Sequence, residues 1–253
     1  MSSYRAAVVT GASSGIGRAL ALQLARSGVA ALVVVARRRE LLDDLAREIR
    51  ALERRAYVEC IDLSDTELTV ARLRALDREL RFDLVVSNAG LGAPSGANPL
   101  AWETLRGPFH VNFCGAAATL TAVLPDMVER RRGHLVGIGS LSAYGALPNA
   151  AAYCTPKAGL GMLLDCLRMD LQGTDVHVTH VRLGFVRTAM VAHSTHPMPQ
   201  MLEAEAVAQR IVERLPRAPR EIVLPRALGM ATRVAGALPG SLRELAARFV
   251  RER

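Results

Sequence analysis

Residues 4–27 read YRAAVVTGASSGIGRALALQLARS, and Gly28 closes the run. Tyr-Arg-Ala-Ala-Val-Val-Thr (4–10) carries the continuous apolar stretch of a strand buried on both faces. Thr-Gly-Ala-Ser-Ser-Gly-Ile-Gly (10–17) is a glycine-rich turn. From Arg18 to Ser27 apolar residues recur at helical spacing, and Gly28 supplies the stop. Strand, glycine turn and helix in that order open a βαβ unit of the dinucleotide-binding kind. Gly11 permits the tight turn. Gly15 and Gly17 let backbone and helix approach a pyrophosphate, whose charge the helix N-terminus receives. The spacing is Gly-x-x-x-Gly-x-Gly, and its strand–helix setting is what gives it weight.

The same alternation continues. Ala30–Ala36 (AALVVVA) is a second buried strand, ending at Arg37-Arg38-Arg39. An acid there would bind a ribose 2′-hydroxyl, whereas a base suits a 2′-phosphate. The first acid is Glu40, so the expected cofactor is NADP(H) rather than NAD(H), with Arg37 the leading contact because it directly follows the strand. The competing reading is that these arginines only solvate the next helix. Leu41–Arg54 is an amphipathic helix and Ala56–Ile61 a strand. Asp62, at that strand's end, either faces the cofactor crevice or caps the helix that begins after Ser64. A helix over 67–80 leads to a strand over 83–86, then Ser87-Asn88-Ala89-Gly90 and a loop, 91–99, at the mouth of the site. Residues 102–111 and 112–129 read as helices, with Pro125 implying a kink. A basic turn, 130–133, precedes a strand over 134–139 that ends at Ser140. Helix 150–171, strand 176–181, irregular 184–201, helix 203–215, strand 221–224 and helix 242–251 complete the chain. The expected fold class is α/β: a doubly wound, Rossmann-like parallel sheet of about seven strands with helices on both faces. One domain would span 1–253, with 226–253 a C-terminal helical tail.

Composition narrows the function. Half of the 253 residues are hydrophobic and 4% aromatic, so the core is aliphatic. The net charge is +8, but the basic residues are spread out and the few aromatics are not interleaved with them, which argues against nucleic acid. The cysteines (60, 114, 154, 166) are scattered, without a CxxC pair. That suggests free thiols in a reducing, cytoplasmic setting and no metal centre. His193 and His196 have no third ligand nearby. No signal peptide or membrane-length apolar run is expected. The stretch 228–253, apolar and then basic, allows peripheral membrane contact.

The chemistry gathers at Tyr153-Cys154-Thr155-Pro156-Lys157. Residues four apart share one helix face, and an ammonium beside a phenol favours its phenolate. The chain has 32 basic residues, of which Lys157 is the only lysine. Wherever a plain positive charge would do, arginine is used. Position 157 is therefore where a compact, titratable ammonium is needed.

On these residues the chain resembles the short-chain dehydrogenases/reductases over nearly its whole length. Residues 10–17 are similar to that family's cofactor loop. Ser87-Asn88-Ala89-Gly90 is similar to its Asn-Asn-Ala-Gly motif, and Asn112, Ser140, Tyr153 and Lys157 to its catalytic tetrad. Two departures stand out: Leu183-Gly184 replaces Pro-Gly, and the loop serines Ser13-Ser14 replace the basic residue of some NADP-binding members. The resemblance implies an oxidoreductase that moves a hydride between a nicotinamide and a carbonyl or secondary alcohol. Tyr153 would exchange the proton, and Lys157 would lower its pKa and bind the nicotinamide ribose. Ser140 would stabilise the oxyanion, and Asn112 would hold a water beside Lys157. Cofactor contacts are implied at Gly11, Ser13, Ser14, Gly15, Ile16, Gly17, Arg37, Arg38, Asp62, Leu63, Asn88, Ala89, Gly90, Tyr153, Lys157, Gly184, Val186 and Thr188. Substrate contacts would come from Ser140, Leu141, Leu147 and Tyr153, with Tyr144, Asn149, Gly92 and Ala93 near, under a loop from Ala189 to Met201. These mostly small, apolar residues suit a neutral, fairly apolar substrate. Alternatives are a reductase of carrier-bound β-ketoacyl chains, docked through Arg130, Arg131, Arg132 and Arg168, and an NADP-sensing protein without chemistry. Family members pair through helices matching 112–129 and 150–171, so a homodimer or homotetramer is expected.

Overall fold

The computed structural model describes residues 4–92, 101–192 and 198–244. The apolar run after Tyr4 forms β1 (Ala6–Thr10), every residue of it buried. The glycine turn leads into α1 (Gly15–Arg26), followed by β2 (Ala31–Ala36), α2 (Arg39–Ala51), β3 (Arg55–Cys60), α3 (Thr66–Leu80) and β4 (Leu84–Ser87). After α4 (Trp102–Phe109) the chain opens into a π-helical turn, His110–Gly115, and continues as α5 (Ala116–Thr121) and α6 (Leu124–Glu129). Then come β5 (Gly133–Ser140), a 3-10 turn Leu141–Tyr144, α7 (Ala151–Asp170) and β6 (Val176–Leu183). A short parallel pair, β7 (Val186–Arg187) and β8 (Leu202–Glu203), precedes α8 (Ala204–Val212), β9 (Glu221–Leu224) and α9 (Arg226–Ala237).

Seven strands make one sheet in the order β3-β2-β1-β4-β5-β6-β9, with parallel pairing throughout. The doubly wound α/β architecture expected from the sequence is what forms. Side chains of β1 alternate between two cores, as a period of two demands. Ala7 and Val9 pack with Leu20 and Leu24 of α1, Leu42, Leu45 and Ile49 of α2, and Val207 and Ile211 of α8. Ala6 and Val8 pack on the other face with Leu73 of α3, Leu120 of α5, and Leu160 and Leu164 of α7. Both faces are covered, which is why the strands read as unbroken apolar runs. Asp83, just before β4, fixes the start of β1: its carboxylate accepts from the Arg5 and Ala6 amides at 3.0 and 3.1 Å.

Several boundaries differ from the sequence reading. The helix expected over 112–129 breaks at Val123 (φ −114°), so Pro125 lies in the first turn of α6, where its missing N–H costs nothing, and kinks no helix. The stretch 228–238, read as an apolar tail, supplies most of α9. Leu228 and Gly229 face the fold there, while Met230, Val234 and Leu238 stay exposed. A further helical turn runs over 240–244, and the rest of the expected 242–251 helix lies outside the described residues. The run Trp102–Glu129 is long and apolar enough to cross a membrane by length and composition, but more than half of its most apolar window is buried inside the fold.

Candidate active site

The glycine turn is held from two sides. Gly11 and Gly15 take φ of +67° and +54°, the left-handed region that glycine enters without steric cost. A Cβ on Gly11 would lie 2.7 Å from the Ala89 Cα, and one on Gly17 would overlap the Gly11 carbonyl and the Asn88 amide. Thr10 ties the turn to the end of β4. Its Oγ1 accepts from the Asn88 and Ala89 amides at 3.0 and 3.2 Å, and the Asn88 Nδ2 donates back to the Thr10 carbonyl at 2.9 Å. Asn88 and Ala89 therefore brace the turn. Ile16 packs against the core from its far side.

Beside the turn, the arginines divide their work. Arg38 Nη2 donates to Ser13 Oγ at 2.9 Å and to Ser14 Oγ at 2.7 Å. Arg37 points away and pairs with Asp62 at 3.6 Å. Sequence position favoured Arg37, but the chain turns after β2, and Arg38, the N-cap position of α2, is the one laid on the loop. Asp62 accepts at Oδ1 from the Ser64 amide and hydroxyl at 3.0 and 2.9 Å. The Ser64 amide above all, with Arg37 adding, holds its carboxyl below the usual carboxylate range against the opposing effect of burial. Asp65, not Asp62, caps α3, accepting from the Leu68 amide at 3.0 Å. Leu63 is buried against Gly115. A phosphate-bearing nucleotide suits these donors. Ser14 at the α1 N-cap makes no side-chain bond to the helix, the first turn carries no acid, and a guanidinium lies across the two serine hydroxyls.

The second half of the site lies where β4 and β5 end. Helix α7 sets Tyr153 and Lys157 one turn apart, beside Ser140 at the end of β5. Lys157 is 4% exposed and its Nζ donates to the Ile138 carbonyl at 2.9 Å. Burial pulls its pKa down to about 8. Burial pushes the Tyr153 phenol up, and the Ser140 hydroxyl opposes that by favouring the phenolate. This departs from the expectation that Lys157 lowers the tyrosine. Desolvation of the phenolate dominates, and one of the three N–H groups of the ammonium goes to the Ile138 carbonyl.

Asn112 sits on the π-helical turn, fully buried. Its Oδ1 accepts from the Leu91 amide at 2.6 Å and its Nδ2 donates to the Leu91 carbonyl at 2.8 Å. It is not a helix N-cap. Both polar atoms of its side chain hold the backbone that follows Ala89-Gly90. A Cβ on Gly90 would lie 3.3 Å from Asn112 Oδ1 and 3.6 Å from Lys157 Nζ, so Gly90 keeps that corner open.

Of the substrate-side expectations, Leu141 is buried against the positions of Gly184 and Gly229, and Leu147 is 57% exposed. Tyr144 turns away. Its hydroxyl donates to Glu221 at 3.2 Å, and Arg182 stacks on its ring at 4.5 Å. The Gly184 amide donates to the Leu224 carbonyl at 2.8 Å. Val186 is buried and pairs with Leu202, and Thr188 packs on Gly15. Met190, in the loop expected to cover these residues, packs against Gly92. Ala93, His193 and His196 lie outside the described residues. No metal-binding group of three occurs among the described residues. Arg130, Arg131, Arg132 and Arg168 pair with Asp77, Asp175, Asp83 and Asp165, so the basic surface expected to meet an acidic carrier is tied into the chain's own ion pairs.

Comparison with known proteins places this geometry. A family model described as short chain dehydrogenase matches residues 5–199. An uncharacterized oxidoreductase of Myxococcus xanthus is 44% identical over 250 residues, covering 98% of each chain. A metagenomic short-chain oxidoreductase solved in complex with NADP is 29% identical with a TM-score of 0.74, covering 87% of this chain and 96% of that one. Carveol dehydrogenase from Mycobacterium avium, solved in complex with NAD, shares the fold at 21% identity and a TM-score of 0.77, covering 87% and 95%.

Proposed function

The chain belongs to the short-chain dehydrogenase family, and from that premise we propose an NADP(H)-preferring oxidoreductase acting on the carbonyl or secondary alcohol of a neutral, fairly apolar substrate. The observation that carries the reading is the meeting of Ser140, Tyr153 and Lys157 at the sheet edge beside Gly90. The cofactor preference is supported by Arg38, whose guanidinium lies on Ser13 and Ser14, and by the absence of an acid between Ala31 and Arg39. The apolar substrate class is supported by Leu141, Leu147, Gly92 and Met190 on the substrate side.

When bound, the nicotinamide supplies or accepts the hydride. Tyr153 donates its proton to the substrate oxygen in reduction and accepts it in oxidation. Ser140 donates a hydrogen bond to the oxygen as its charge develops. Lys157, one turn along α7 from Tyr153, is the group that would hold the nicotinamide ribose. Asn112 acts through Leu91, keeping the turn after Gly90 in place. A single domain with a helical tail, pairing as a homodimer or homotetramer, completes the proposal. The exposed Met162 and Met169 on α7 support pairing through that helix.

The test is titration with NADPH and NADH, then loss of nicotinamide absorbance against a panel of apolar ketones and aldehydes, with Tyr153→Phe in parallel. NADPH binding at least tenfold tighter than NADH, with turnover lost about a thousandfold in the variant, is expected. Turnover that survives in Tyr153→Phe sinks the mechanism, and equal binding of the two nucleotides sinks the preference.

A further inference from the structure

Helix α9 turns its small residues toward the fold and its large apolar ones toward solvent. Gly229 is buried, and a Cβ there would lie 2.1 Å from Val223 Cγ1. A Cβ on Gly236 would lie 2.0 Å from the Tyr144 carbonyl oxygen. Thr232 turns its hydroxyl back onto the Leu228 carbonyl at 2.9 Å. Met230, Val234 and Leu238, spaced four apart, therefore share the outer side, with Met230 66% and Val234 60% exposed. Leu242, just beyond the helix, is exposed as well. Arg226 and Arg233 stand four before and three after Met230, on the same helix face. Both are exposed, as is Arg243, and no acidic residue lies between Arg226 and Arg243. Arg130, Arg131, Arg132 and Arg168 are each neutralised by an aspartate, but among the described residues Arg226, Arg233 and Arg243 have no such partner.

We propose that the outer face of α9 docks on a membrane surface bearing anionic lipid. A helix with an apolar strip and cations along its border lies in the plane of the headgroups, its strip in the acyl boundary and its charges at the phosphates. The surface potential of an anionic leaflet raises binding by about fivefold for each arginine held near it. A second copy of this chain fits the same face less well. Twofold pairing sets a patch against itself, and here arginine would meet arginine with no acid between. The face is also separate from α7, through which subunit pairing is proposed. The inner side of α9 approaches Leu141, the residue after Ser140, with a Cβ on Gly229 lying 3.5 Å from Leu141 Cδ2. Docking therefore sets that edge of the candidate site one helix diameter from lipid. Only this last consequence rests on the oxidoreductase reading; the docking does not.

The experiment is co-sedimentation of the full chain with vesicles of phosphatidylcholine alone and of phosphatidylcholine mixed with phosphatidylglycerol. It needs neither cofactor nor substrate, so it is readable even if the oxidoreductase reading fails. Three double variants are run beside wild type: Met230→Ser with Val234→Ser, Arg226→Gln with Arg233→Gln, and, because the whole chain is cationic, Arg78→Gln with Arg210→Gln as a control that removes two charges elsewhere. Wild type is expected to bind the anionic vesicles and to lose them at high salt. The serine pair is expected to weaken binding by at least about tenfold, the α9 arginine pair by about twenty-five-fold, and the control pair by less than about threefold. Urea midpoints of all variants are expected to match wild type, since every altered side chain is exposed. Absence of wild-type binding overturns the proposal, as does a control pair that loses as much as the α9 arginine pair. Unchanged vesicle binding in the serine pair overturns it too. A lower subunit count in that variant, read by analytical ultracentrifugation, would give the face to a second copy instead, and a lowered urea midpoint would give it to the chain's own residues.

Discussion

Replacing Lys157 with methionine is expected to stabilise the protein at neutral pH while removing its activity. The ammonium is 4% exposed and its Nζ faces a neutral carbonyl, that of Ile138. Its folded pKa, about 8, is well below the lysine value of 10.5. That difference corresponds to ~3 kcal/mol by which folding disfavours the charged form. Methionine fills a similar volume without charge, but it leaves the Ile138 carbonyl without this donor, a loss of ~1 kcal/mol. The net gain at pH 7 is then ~2 kcal/mol. The sign with pH follows from proton counting. Below pH 8 both folded and unfolded wild type carry the proton, and the penalty is complete. Between about 8 and 10.5 the unfolded chain binds more protons than the folded one, so wild-type stability rises with pH relative to the variant, and the gap closes. Urea unfolding of both proteins at pH 7, 8, 9 and 10 measures this, and titrations common to the two cancel in the difference. A variant less stable than wild type at pH 7, or a gap that does not change over this range, refutes the reasoning.

Three further outcomes follow from the geometry. Arg38→Ala is expected to weaken NADPH binding by roughly ten- to a hundredfold and NADH binding by less than about threefold, while Arg37→Ala has a smaller effect on both; fluorescence titration of each nucleotide decides, and the reverse ranking would return the phosphate to Arg37. Gly17→Ala is expected to destabilise by at least ~2 kcal/mol, because its Cβ meets the Gly11 carbonyl and the Asn88 amide, neither of which can retreat without opening the turn; a thermal melt matching wild type contradicts this. Asn112→Ala is expected to cost ~2 kcal/mol of stability, since the Leu91 amide and carbonyl lose their partners in a buried site, and hydrogen exchange at the Leu91 amide reads the loss directly.

Much of this was legible in the sequence, for identifiable reasons. A parallel sheet buried on both faces writes itself as unbroken apolar runs, so β1 and β2 stood out. The glycines of the cofactor turn were readable because backbone must pass backbone there. Less legible was anything set by direction. Arg37 and Arg38 are neighbours in sequence, and the turn after β2 decides which of them meets the loop serines. Asn112 could be located but not its bonds, because the π-helical turn that aims it carries no distinct signal in His110–Gly115. The lowering of Tyr153 by Lys157 was expected from spacing alone, and spacing does not report how much water the two groups lose.

The chain's single lysine has a bearing on how the protein can be handled. Every other cationic side chain is a guanidinium, which ignores the acylating and imine-forming reagents that attack amines. The one side-chain amine is walled in by α7 and the end of β5 and has a depressed pKa, so it is nucleophilic at mild pH but hard to reach. An amine-selective reagent small enough to enter therefore becomes a gauge of access: its rate at position 157 counts how often the crevice admits a visitor, against a side-chain background that is silent.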